Sequence, residues 1–247
     1  MKRRGVPAFS FVPVYHAVHD DPICKGNPMA ITLSDLVANR TMSSGMAATL
    51  AAAVDERRSF LIAAIPRMAG KTTIMQAMLA CRAETVALHQ LSEASGLSLG
   101  IPAGADGGYL VLSEIAQAPF ADYLWGAPVR QAFRAAREQD FGLAAALHAG
   151  SVEEAFEIVA HGNRVPDEDA ARLELLIYIR TLGRNWQRPD RRVVAAVYAI
   201  AGVQDGVPTA QLLHHWDESN DRFITGDVSR VAFRGYGRRL TEFTAQA

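Results

Sequence analysis

The stretch SFLIAAIPRMAGKTTIMQAML, Ser59 to Leu79, decides how the rest of the chain is read. Phe60 to Ile65 is an apolar run of strand length, and Pro66-Arg67-Met68-Ala69 makes a turn. Gly70-Lys71-Thr72-Thr73 then opens a helix whose apolar face is Ile74, Met75, Met78 and Leu79. A buried strand, a tight loop and a helix N-terminus form a cradle for phosphate, because backbone N–H groups at a helix start point at an anion. Lys71 adds a fixed positive charge and the Thr72 hydroxyl is placed for Mg²⁺. The candidate binding residues are therefore Pro66, Arg67, Met68, Ala69, Gly70, Lys71, Thr72 and Thr73. In the full pattern G-x-x-x-x-G-K-[ST] the first glycine falls at Ile65, so only Gly70-Lys71-Thr72 remains. The competing reading is a lysine that starts an ordinary surface helix.

Working outward, 247 residues suit one large domain, or one domain plus a small one. With 49% hydrophobic and 21% charged residues the composition is that of a globular protein with a full core. A net charge of -1 argues against a dedicated nucleic-acid binder. Cys24 and Cys81 stand far apart, suggest neither a disulfide framework nor a C-x-x-C metal site, and point to a reducing compartment. Lys2-Arg3-Arg4 is followed by Pro7, Pro13, His16 and His19, so no signal-peptide apolar region develops. No run reaches the roughly 18 apolar residues of a membrane span. The expected location is cytoplasmic, with any membrane association at its inner face made through partners.

Residues 1–31, rich in proline, are expected to be an extended N-terminal arm. Residues 32–225 are expected to form an α/β domain with a mostly parallel sheet flanked by helices, and 226–247 a C-terminal tail. Thr32 with Asp35 is a capping box, and Ser43 or Ser44 caps a second helix. Expected strands follow over 84–89 and 109–112, with a glycine-rich mobile loop over 91–108 between them. A helix over 129–138, a strand over 143–147 and a capping box at Ser151 come next. Residues 173–179 and 192–200 are apolar and look like an antiparallel pair. Strands alternating with helices indicate an open sheet with its site at the carboxyl ends of strands.

Three strand ends present chemistry: the cradle, Glu114 and His148. A carboxylate at Glu114 can polarise an attacking water or hold Mg²⁺, and its competing reading is a solvated side chain. His148 can donate to a terminal phosphate; its competing reading is a satisfied histidine near the core. His89 and Glu93 are weaker candidates, with an exposed loop as their alternative.

The order of these motifs resembles the ATPases of type II and type IV secretion systems, in the branch of pilus assembly and conjugation. Gly142 to Ser151, GLAAALHAGS, looks like that family's histidine box, and Glu153-Glu154-Ala155 continues it. Leu110 to Ile115 looks like its Walker B strand. Similarity extends over roughly 32–225 and implies a RecA-like P-loop ATPase domain that uses ATP and Mg²⁺. In that picture Lys71 holds the phosphates, Thr72 and Glu114 serve the metal, Glu114 orients water and His148 senses the γ-phosphate. It also implies a homo-oligomer, such as a hexameric ring, or a hetero-oligomer with a paralogue, working with secretion or pilus machinery and not with nucleic acid. Ile65 and Met68 replace glycines of the family's loop, Ser113 the glycine before Glu114, and Ala116 an arginine after it. Leu88-His89-Gln90-Leu91 stands for the acidic box, and the family's large N-terminal domain is reduced to about thirty residues. These departures suggest slow turnover, or a non-catalytic homologue acting as an assembly module. With no arginine placed by motif, Arg130, Arg134 and Arg137, or Arg191 and Arg192, are candidates to act across a subunit interface.

Overall fold

Strands buried on both faces lie at the centre of the sheet, and their sequences show why. In β1 (Ser59–Ile65) Phe60, Ile62 and Ala64 face one core while Leu61 and Ala63 face another. β3 (Gly108–Leu112) and β6 (Phe141–Leu147) alternate the same way, as strands covered on both sides must. The computed structural model describes residues 31–245 apart from Arg67, 104–106, Trp186 and Ala232. The N-terminal arm, Cys24 and Arg67 thus lie outside the described residues, save for Ile31.

The helices α1 (Leu33–Ala38) and α2 (Ser44–Asp55) precede β1, and α3 (Lys71–Leu79) follows it. Then come β2 (Leu88–Gln90), β3, β4 (Glu114–Ile115), β5 (Tyr123–Leu124), α4 (Ala127–Glu138) and β6. After β6 run α5 (Val152–Phe156), a π-helical turn over Glu157–Gly162, and α6 (Asp167–Ala170). The chain closes with β7 (Leu173–Leu182), β8 (Arg191–Gln204), β9 (Val207–Asp217), β10 (Arg222–Thr225) and α7 (Tyr236–Ala245). One eight-stranded sheet has the order β10-β9-β8-β7-β1-β6-β3-β2, parallel from β7 to β2 and antiparallel from β7 to β10. β1, followed by the loop and α3, sits between β7 and β6, and the strand leading to Glu114 is one strand further away. None of the described helices is long and apolar enough to cross a membrane.

Local signals act where expected at Thr32, which forms a capping box with Asp35, and at Ser43, whose hydroxyl accepts from Met46 N. Ser151 Oγ accepts from Glu154 N, but the Glu154 carboxylate reaches back one residue further, to Gly150 N at 2.6 Å. Three expectations are corrected. The strand over 84–89 shrinks to Leu88–Gln90, because an Ala83–Val86 turn takes up its first half. The loop over 91–108 contains a 3₁₀ segment, Glu93–Ser98, capped by the Ser92 hydroxyl. Glu114 is not at a free strand end: it begins β4, paired with Tyr123 of β5.

Gly142 shows why one position inside a buried strand has no side chain. A Cβ there would lie 2.7 Å from Tyr109 Cε1 and 2.8 Å from the Arg57 carbonyl oxygen. The Tyr109 ring fills that space and its hydroxyl donates to the Arg58 carbonyl at 3.0 Å. Gly142→Ala is expected to destabilise the fold by about 1–3 kcal/mol through overpacking, read as a lower midpoint in urea. An unchanged midpoint would show that Tyr109 moves freely.

His214 ties β9 to α2. It is fully buried between Thr49 Oγ1 at 2.7 Å and Thr225 Oγ1 at 3.1 Å. Burial pushes its imidazole down to about 4, so the folded chain keeps it neutral where the unfolded chain binds a proton. Its contribution is therefore complete above the ordinary value of about 6.5 and is lost as pH falls toward 4, at most about 3 kcal/mol. Denaturant unfolding at a series of pH values checks this: His214→Gln should flatten the slope over that window.

Candidate phosphate-binding site

The parallel register carries three side chains to one place. Ala63 of β1 pairs with Leu147 of β6, so His148 leaves its strand level with Ala64, and its Nδ1 lies 3.2 Å from the Ala64 carbonyl oxygen. A carbonyl only accepts, so Nδ1 carries the hydrogen there. Leu112 of β3 pairs with Ala145, which brings Glu114 to the same height two residues later. Lys71 begins α3 above β1. Its Nζ is 3.2 Å from Glu114 Oε2 and 3.3 Å from each ring nitrogen of His148, while His148 Nε2 is 3.7 Å from Glu114 Oε1.

Lys71 and Glu114 are both buried, with side chains 8% and 7% exposed, whereas His148 is 28% exposed. Charges this far from water need partners. Glu114 gives Oε2 to Lys71, and its buried Oε1 has no hydrogen-bond partner among the described residues. That oxygen and the exposed Thr72 hydroxyl are hard donors of the kind Mg²⁺ and its waters take. Among the described residues no cluster of three His, Cys, Asp or Glu side chains could hold a metal alone, so a divalent ion here would depend on the ligand's own oxygens.

Gly70 caps α3 in the left-handed region, φ +94°, without a side-chain cap, so the first amides of this nine-residue helix stay open. Met68 also has positive φ, +64°, in a region that favours glycine. The side chains of Ile65 and Met68 point outward, 50% and 62% exposed, which is how the loop accommodates them. A cavity of about 730 Å³ opens over the loop, lined by Met68 to Ile74, Glu114, Tyr123 and His148, and from the other side by Asn39, Thr41 and Asp190 to Arg192. His89 and Glu93 do not line it.

Arg192 sits against the loop of its own chain: its Nε donates to the Met68 carbonyl at 3.2 Å. No local pattern marks this residue. Its place comes from register, since Ile65 pairs with Arg180 and Arg180 with Val193, which sets the start of β8 level with the end of β1. The neighbouring Arg191 is held by Asp221 at 2.7 Å and the Arg40 carbonyl at 2.9 Å. Arg130 donates to the Asn163 carbonyl at 2.7 Å, and Arg137 pairs with Glu168 at 2.6 Å and Asp169 at 2.9 Å. Neither these two nor Arg134 lines the cavity.

The strand order, with β1, the loop and α3 at its centre, defines an α/β domain whose central sheet, mostly parallel with an antiparallel edge, is flanked by helices. Among solved structures the chain is similar to the VirB11 ATPase of the Brucella suis type IV secretion system in complex with sulphate. Identity is 17% and the TM-score 0.45, over 74% of this chain and 72% of that one, a likeness that assigns no role to any residue. No family model and no curated protein matches the sequence.

Proposed function

We propose that the chain is a diverged secretion-type ATPase domain, spanning 32–225, that binds ATP with Mg²⁺ and hydrolyses it slowly as part of an oligomer. One observation carries the reading: Lys71, Glu114 and His148, from the ends of three separate elements, meet at an uncapped helix N-terminus. Loop residues 68–73 supply backbone donors to the phosphates and Lys71 neutralises them. Thr72 and Glu114 would hold Mg²⁺, which supplies charge neutralisation at the transferring phosphate. Glu114 orients the attacking water, and His148, held by Nδ1 on the Ala64 carbonyl, presents Nε2 to the terminal phosphate and senses it. The setting we propose is cytoplasmic, at the inner face of a membrane, among partners of a secretion or pilus system.

A second reading, a non-catalytic homologue serving as an assembly module, is favoured by the buried Lys71–Glu114 pair, which binding of a triphosphate must open. Calorimetric titration with ATP and Mg²⁺, followed by a phosphate-release assay, separates the two. Saturable binding with slow release supports the ATPase; binding without release selects the module. A flat titration overturns both.

A further inference from the structure

Arg192 is the charged group at the loop that neither reading uses. Its Cδ lies 3.1 Å from where a Cβ on Gly70 would stand, so glycine at that position lets the arginine pack directly over the loop. Beyond the Nε bond to Met68, its two terminal nitrogens make no hydrogen bond among the described residues, and the side chain lines the cavity. The contrast with Arg191 is informative. That side chain also lines the cavity, but its two terminal nitrogens are held by Asp221 and the Arg40 carbonyl and its guanidinium lies over the Trp216 ring, so it is tied down where the terminal nitrogens of Arg192 are not.

Sheet order adds a direction. Glu114 and His148 stand on the β6–β3 side of β1, and Arg192 on the β7–β8 side. The group that orients water marks the terminal phosphate, so a bound polyphosphate runs from there across the loop toward β8. We infer that Arg192 is a phosphate-binding residue supplied in cis, whose guanidinium binds the nucleoside-proximal phosphates of a nucleoside di- or triphosphate. The inference rests on the nucleotide-binding reading above. It relocates the arginine from a neighbouring subunit to the same chain, and from the terminal phosphate to the inner ones. A planar fork with free donors beside a loop of open amides suits such phosphates.

The test is calorimetric titration of the full chain with ATP and with ADP, each with Mg²⁺, for wild type, Arg192→Gln and Arg192→Lys. Arg192→Gln is expected to weaken both nucleotides equally, by about tenfold or more. Arg192→Lys, which keeps the charge but not the planar fork, should recover only part of the lost affinity and bind more tightly than Arg192→Gln. Where turnover is measurable, KM should rise while kcat at saturating ATP stays unchanged. Three results would overturn the inference while leaving nucleotide binding intact. One is no loss of affinity. Another is a lysine variant as weak as the glutamine one, which would make Arg192 only a pin for the Met68 carbonyl. The last is a loss confined to ATP with a fall in kcat, which would place it at the terminal phosphate. Wild type that binds neither nucleotide removes the underlying reading, and this inference with it.

Discussion

Lys71→Ala is expected to weaken ATP binding by tenfold or more and, at the same time, to lower the stability of the ligand-free chain. The first effect follows from a charge-assisted contact to phosphate, a class worth about 1.5–3 kcal/mol. The second follows from the Lys71 Nζ–Glu114 Oε2 distance of 3.2 Å at a site both side chains bury. Removing one partner of a buried ion pair leaves the other charge uncompensated, at a cost of about 3–5 kcal/mol when nothing else relieves it. His148, close to both groups and partly open to solvent, keeps the cost toward the lower end. The double variant Lys71→Met/Glu114→Gln separates the effects. It should recover most of the thermal midpoint, since two neutral groups replace the pair, and should still bind ATP weakly. Equal ATP affinity for wild type and Lys71→Ala would sink the phosphate-loop reading; an unchanged midpoint would show that the ion pair contributes nothing.

Glu114→Gln carries the largest expected effect on rate. The amide keeps the shape of the side chain and can still accept from Lys71, but it has neither the charge nor the basicity to polarise water. Removal of a positioned general base costs about 10²–10⁴ in turnover. ATP should still bind the variant, because the lost metal ligand is offset by a Lys71 no longer held by a full negative charge and freer to meet phosphate. Single-turnover phosphate release beside a binding titration measures both. A variant hydrolysing ATP at the wild-type rate would take Glu114 out of the chemistry and leave its unpartnered Oε1 without explanation.

The two variants also report on why turnover should be slow. Met68 occupies a backbone region that costs an L-residue about 1–2 kcal/mol, and its side chain is largely exposed. The loop thus keeps an open helix end while losing the glycine freedom that lets a backbone wrap a phosphate closely. Binding tolerates that better than fast transfer, which needs donors aimed at the transition state.

Much of the centre of the fold was determined locally. The apolar runs at 60–65, 109–112 and 143–147 were legible as strands, and the strands they form are covered on both faces. Caps at Thr32, Ser43 and Ser151 act over three residues or fewer. Gly70-Lys71-Thr72 after such a strand located the loop, and Glu114 and His148 were legible as polar groups that end apolar runs. That the three meet was not legible, since it depends on which strand lies between which. The interposed β6, and pairings such as Ala63 with Leu147, decide it.

Other features had no local signal at all. β9 and β10 carry polar residues and join the sheet by hydrogen bonds, β9 to β8 and β10 to β9, rather than by an apolar pattern. α7 is placed by Arg239, which reaches Asp55 of α2 at 2.6 Å across the fold. Arg192 differs from Arg191 by one residue in sequence. In a strand, one residue turns a side chain to the opposite face. Only the register of the β7–β8 hairpin against β1 decides which of the two arginines donates to the Met68 carbonyl and which pairs with Asp221.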